Sequence, residues 1–223
     1  RVVAEGGLRL AVAKVQDWID DGRLSERPDG TRNPLQTVPL VDTIVAEKYD
    51  AVIGGARRDE ERARAKERIF SLRDAFGGWD PRKQRPEMWR LLNGRLGTGE
   101  TVRVFPMSNW TEKDVWRYIL REKLDVVPLY LAKERPVIER NGQLLMQDDD
   151  RLQPKDGEKV VMRKIRFRTL GCYPLTAAIE SDADTMESVV AETINAQTSE
   201  RVGRLIDHDQ AGAMEKKKQE GYF

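Results

Sequence analysis

The sequence is poor in the side chains that most catalytic and metal centres use. One cysteine, Cys172, and one histidine, His208, occur among 223 residues. A single thiol excludes an intramolecular disulfide framework and an all-cysteine metal site, and one imidazole removes most zinc sites and most histidine-based triads. No stretch approaches the ~18 consecutive apolar residues of a membrane span, and no secretory leader is visible. A charge of one sign is also lacking. Charged residues make up 35% of the chain, yet the formal net charge is +1, whereas a nucleic-acid binder carries a strong basic face. Internal repeats and low-complexity tracts are absent. The expectation is a cytoplasmic protein that binds neither nucleic acid nor membrane, with one substantial core and a smaller appendage.

What is present is organised around residues 49–70, YDAVIGGARRDEERARAKERIF. The apolar run Ala51-Val52-Ile53, the pair Gly54-Gly55 and the charged stretch after them read as strand, turn and helix of an α/β sheet. Ligands in such sheets bind beyond the carboxyl ends of the strands. There, Gly54 and Gly55 let a ligand approach the backbone, and Arg57 and Arg58 can hold an anion. A turn that only reverses the chain is the competing reading. Glu60 and Arg64 form an i,i+4 pair, so the helix, expected to reach about residue 73, is mostly a solvated surface.

Elsewhere, residues 8–15 alternate like a strand and 16–21 suit a short helix. Asn33-Pro34 starts a helix to about residue 48, with Pro39 a candidate kink. Residues 75–100 read as a long irregular loop, and 101–106 as a strand. Thr111 caps a helix over 112–123, with Asp114 completing an imperfect capping box. Asn141-Gly142 between apolar runs is a hairpin signal. Asp148-Asp149-Asp150 lacks the spacing of a calcium loop and reads as a solvated run. Residues 160–168 suit a strand that leads Arg166 and Arg168 into the turn Thr169-Leu170-Gly171-Cys172. Residues 185–196 form an amphipathic helix. Paired basic loops suit a substrate carrying phosphate or sulfate.

Several longer stretches carry a family resemblance: GGARRDEERARAKERIFSLRD, RVFPMSNWTEKDVW, VPLYLA, RFRTLGCYPLTAAIES and the ending DQAGAMEKKKQEGYF. The chain resembles the small, catalytic subunits of bacterial sulfate adenylyltransferases. The resemblance implies an α/β fold of the adenine nucleotide α-hydrolase-like (PP-loop) type, a mostly parallel sheet flanked by helices. It implies transfer of the adenylyl group of ATP to sulfate, giving adenosine 5′-phosphosulfate and pyrophosphate. It also implies magnesium with the ATP and a GTP-hydrolysing large subunit as partner. The family's pyrophosphate loop, of S-G-G-x-D-S type, does not occur here. With Arg1 first and an opening that reads as a helix end, the expectation is a chain that begins inside a domain, without its first strands, and has weak or no activity alone.

The expected division is a nucleotide-binding domain over 1–125 and a hairpin-containing, partner-contacting region over 126–223. Arg57 and Arg58 are the first candidates for the catalytic contacts to phosphate or sulfate. Gly54, Gly55, Asp59, Arg166, Arg168, Thr169, Gly171, Cys172, Asn109 and Trp110 are candidate binding residues, and no metal-ligating residue is assigned. Two other readings stand beside this one. A non-catalytic nucleotide- or GTPase-binding module is compatible with the missing loop. A reductase of the same fold is disfavoured, because such enzymes use a C-terminal cysteine and this chain ends Gly221-Tyr222-Phe223.

Overall fold

A computed structural model describes residues 5–27, 32–60, 64, 68–84, 95–171, 173 and 176–196. They form two compact units. One takes residues up to 55 and from 68 to 106, and the other takes 56–60, 64 and the residues from 107 onward.

In the first unit, α1 (Val15–Asp20) is followed by a 3-10 turn, Asn33–Gln36, that runs directly into α2 (Thr37–Ala46). Pro34 sits at the start of the 3-10 turn and Pro39 in the first turn of α2, where an amide proton has no helical partner. β1 (Ala51–Ile53), β2 (Phe70–Arg73) and β3 (Thr101–Val104) make a sheet in the order β1-β3-β2. β1 runs parallel to β3, with Val52 opposite Arg103, and β2 runs antiparallel to β3, with Phe70 opposite Val104. The Gly54 N–H donates to the Val104 carbonyl at 2.9 Å, extending the parallel ladder to the glycine pair. Arg73, Arg103 and Ser71 are fully enclosed. Burial first, and then the neighbouring Arg73 charge, lower the Arg103 pKa to about 10.

Two expectations for this unit need correction. Residues 70–73 are strand, not the end of a helix, because Phe70-Ser71-Leu72 pairs with β3 and tertiary pairing outweighs helix propensity. Residues 61–63 and 65–67 lie outside the described residues. Residues 8–14 form no strand, and Leu8, Leu10 and Val12 stay 61%, 67% and 64% exposed. Alternation signals a strand only where another strand pairs with it.

The second unit opens with α3 (Glu112–Glu122). Thr111 Oγ1 accepts from the Asp114 N–H at 3.2 Å, and Asp114 Oδ2 accepts from the Thr111 N–H at 2.9 Å, which completes the capping box. The Thr111 N–H and hydroxyl, both donating to Asp114 Oδ2, hold that carboxyl below its ordinary range. β4 (Lys133–Arg140), β5 (Gln143–Met146), β6 (Val160–Arg166) and β7 (Ile179–Glu180) form an antiparallel sheet in the order β5-β4-β6-β7. Asn141 (φ 53°) and Gly142 (φ 73°) make the turn between β4 and β5, the left-handed pair that a two-residue hairpin loop requires. α4 (Met186–Asn195), capped by Thr185, packs against α3, and Trp116, Ala183, Val189 and Val190 share that core. Val137, Ile165, Phe167 and Ala178 fill one sheet cluster, and Ile138, Leu145, Leu152 and Ala177 another. No described helix is long and apolar enough to cross a membrane.

Candidate functional site

The loop after β1 and the loop after β6 supply the arginines of one hollow in the second unit. It encloses about 240 Å³ and is lined by Arg57, Glu60, Glu112 and Arg168 with an apolar floor that includes Trp116, Ile119 and Tyr130. Trp116 and Tyr130 meet edge to face, their ring centroids 5.1 Å apart, a rigid contact of large apolar area.

Each charge in the hollow has a counter-charge. Arg168 grips Glu112 in a bidentate contact, Nε to Oε1 at 3.3 Å and Nη2 to Oε2 at 2.6 Å. Arg57 Nη1 lies 3.8 Å from Glu60 Oε1, and Arg64 Nε lies 3.4 Å from the other oxygen, Oε2. The side chains of Arg57, Arg64, Arg168 and Glu112 keep only 9–12% of their surface in water, so these ions interact through a medium far less screening than bulk solvent.

The arginine loop is itself fastened. The Arg58 N–H donates to the carbonyl of buried Ser108 at 2.9 Å. Asp59 Oδ2 accepts the backbone N–H of Glu112, the first residue of α3, at 3.1 Å. Asp59 thus satisfies one of the amides that a helix start leaves open. The segment carrying Arg57 is therefore tied to the helix end that carries the partner of Arg168.

The structure brings together Arg57, Arg168 and Thr169 of the expected residues. Asp59 acts one step behind them, through the Glu112 amide. Arg166 is not among the lining residues. It is fully buried, its Nη2 bonded to Glu192 Oε1 at 2.6 Å, and Ser181 Oγ holds the other Glu192 oxygen. Burial pushes the Glu192 carboxyl up, but the bonds from Arg166 and Ser181 outweigh it and leave the pKa lowered. Trp110 lines a different hollow, with Asp114, Arg117, Tyr118 and Arg121, and stands edge-on to Tyr118 at 5.3 Å. Asn109 and Gly171 are exposed. Gly54 and Gly55 belong to the first unit, at the end of β1. Cys172 lies outside the described residues.

Glu112 and Glu60 were not expected as site residues. Glu60 reads locally as one half of a helical pair, and Glu112 as an acid at a helix start. The partner that redefines Glu112 lies 56 positions away. Among the described residues no three acidic, histidine or cysteine side chains stand together as a metal site. Of the Asp148–Asp150 run, Asp149 is paired with Arg151 at 2.6 Å.

Residues 5–178 match the family described as the phosphoadenosine phosphosulfate reductase domain. The chain is 56% identical over 224 residues to the sulfate adenylyltransferase subunit 2 of Myxococcus xanthus, covering 99% of this chain and 73% of that protein. It is 62% identical over 189 residues to the subunit of that name from Mesorhizobium japonicum, covering 85% and 63%. The corresponding figures for Trichlorobacter lovleyi are 55% over 226 residues, 100% and 75%. The chain thus spans from 63% to 75% of the length of these relatives. Identity at this level over nearly the whole chain, together with the family match, places it plainly: the chain belongs to the phosphoadenosine phosphosulfate reductase domain family and, within it, to the sulfate adenylyltransferase subunit 2 proteins.

Proposed function

We propose that the protein transfers the adenylyl group of ATP to sulfate, yielding adenosine 5′-phosphosulfate and pyrophosphate. The observation that carries this reading is the convergence of Arg57 and Arg168 on one hollow with an aromatic and aliphatic floor. A sulfate oxygen must attack the α-phosphorus of ATP while pyrophosphate leaves. Both reactants are anions, so guanidinium groups must offset their repulsion and the charge that grows on the leaving group. Alignment supplies much of the remaining acceleration, and the reaction needs no thiol or imidazole nucleophile. Arg57 and Arg168 hold the oxyanion groups, Thr169 adds a hydroxyl, and Asp59 and Glu112 keep the arginines in place. Magnesium enters with the triphosphate, whose oxygens supply ligands for it.

The relatives' designation as subunit 2 supports a partner subunit, and we take it to be a GTP-hydrolysing large subunit that drives this uphill reaction in the cytoplasm. The test is pyrophosphate release from ATP by the full-length protein with that partner and GTP, with and without sulfate. Release that depends on sulfate is expected. Its absence from the complete assembly rejects the reading.

A further inference from the structure

Two buried guanidiniums without counter-ions would repel each other and bind any passing anion. This hollow avoids that by holding carboxylates of its own. The bidentate pair of Arg168 with Glu112 closes to 2.6 Å, with both side chains about nine-tenths buried. An anion that enters meets a guanidinium whose Nε and Nη2 are already engaged and whose charge Glu112 already offsets.

We propose that Glu112 is a positioning residue, a resident counter-ion that fixes Arg168 in the hollow and lowers the affinity of the empty site for oxyanions. The inference rests on the sulfate-adenylation reading and assigns a role that the sequence did not indicate.

Three observations on separate parts of the chain meet at Glu112. Its carboxylate sets the plane of the Arg168 guanidinium through two bonds, and a planar fork held at both prongs has little rotational freedom. Its backbone N–H is held by Asp59, next in sequence to Arg58 and two residues from Arg57. Its place at the start of α3 is locked by the Thr111–Asp114 box. Arg168 is thereby fixed in relation to the Arg57 loop before any ligand arrives. Affinity lost in the ground state is no loss to catalysis, since only interactions that strengthen in the transition state raise turnover. A carboxylate that yields as negative charge shifts from sulfate onto the departing pyrophosphate produces that difference.

The test is Glu112→Gln in the full-length protein with its partner subunit, assayed by sulfate-dependent pyrophosphate release and, separately, by calorimetric titration with sodium sulfate. The glutamine keeps the shape but removes the competing charge. Sulfate KM and Kd are expected to fall by roughly threefold to tenfold, because no anion competes for Arg168. Turnover is expected to fall by about tenfold or more, because Arg168 is no longer aimed. Glu112→Asp, which keeps the charge, should return sulfate affinity toward the wild-type value. Partial misfolding lowers the number of binding sites and not their affinity, so a reduced Kd separates the two. If Glu112→Gln does not fold, Glu112→Asp decides: sulfate affinity near wild type with slowed turnover supports the role, and weakened affinity overturns it. An unchanged or raised sulfate Kd in folded Glu112→Gln overturns it as well. Wild-type protein that binds sulfate yet releases no pyrophosphate rejects the reaction instead, and the titration still reads the counter-ion.

Discussion

Arg168 and Glu112 lie 56 positions apart in the chain and meet at 2.6 Å with nearly all of both side chains buried. The pair joins the loop after β6 to the first residue of α3, and it brings the second arginine to the hollow that already holds Arg57.

Replacing Arg168 by lysine keeps the charge but cannot keep a two-pronged contact. The kcat/KM for sulfate should fall by about tenfold to a hundredfold, the order of one or two charge-assisted hydrogen bonds. Steady-state pyrophosphate release measures it, and a value equal to wild type removes Arg168 from the site.

Arg57 lines the hollow, whereas Arg58 does not appear in that lining and is fixed through its backbone to Ser108. Arg57→Ala should therefore cost about tenfold more kcat/KM than Arg58→Ala. Kinetics of the two variants side by side decide between them, and the reverse order moves the site toward Arg58.

Arg166 and Glu192 tie β6 to α4, and neither lines the hollow. Removing one partner of a buried pair costs about 3–5 kcal/mol. The lower end is expected for Arg166→Ala, because Glu192 keeps 36% of its side chain in water. Urea unfolding provides the measurement, and a loss well under 1 kcal/mol would contradict the assigned role.

Glu158 gives the fold a pH signature. The side-chain hydrogen bonds from Arg140, and then the Lys155 backbone N–H, pull its carboxyl from 4.5 to about 2. A carboxylate held lower in the folded state adds stability above its unfolded pKa, and that contribution disappears as pH falls toward the folded value. Glu158→Gln should therefore melt at a lower temperature than wild type at pH 7, and the gap should close between pH 4.5 and about 2. A constant gap across that range would mean that the ion pair is not its source.

The sequence revealed the features whose causes are local. The Thr111 cap, the Asn141-Gly142 turn and the Thr185 helix start each depend on residues within a few positions, and each appears in the structure. β1 and β3 were legible from their apolar runs. β2 was not, because the pattern around Phe70 continues a charged stretch and only its partner strand makes it extended. The same distinction divides the site. Arginines beside small-residue turns suggest an anion, and two of them, Arg57 and Arg168, line one hollow. Arg166 bonds Glu192 instead of lining the hollow, and nothing local distinguishes the two settings for an arginine. The Glu112 contact was not legible, because its partner Arg168 lies on another element 56 positions away.

The clasp at the start of α3 also bears on how such a protein can drift. Arg168 meets the carboxylate of Glu112, whereas Asp59 meets only its backbone amide, so lineages should vary positions 112 and 168 in concert while position 59 answers to neither side chain.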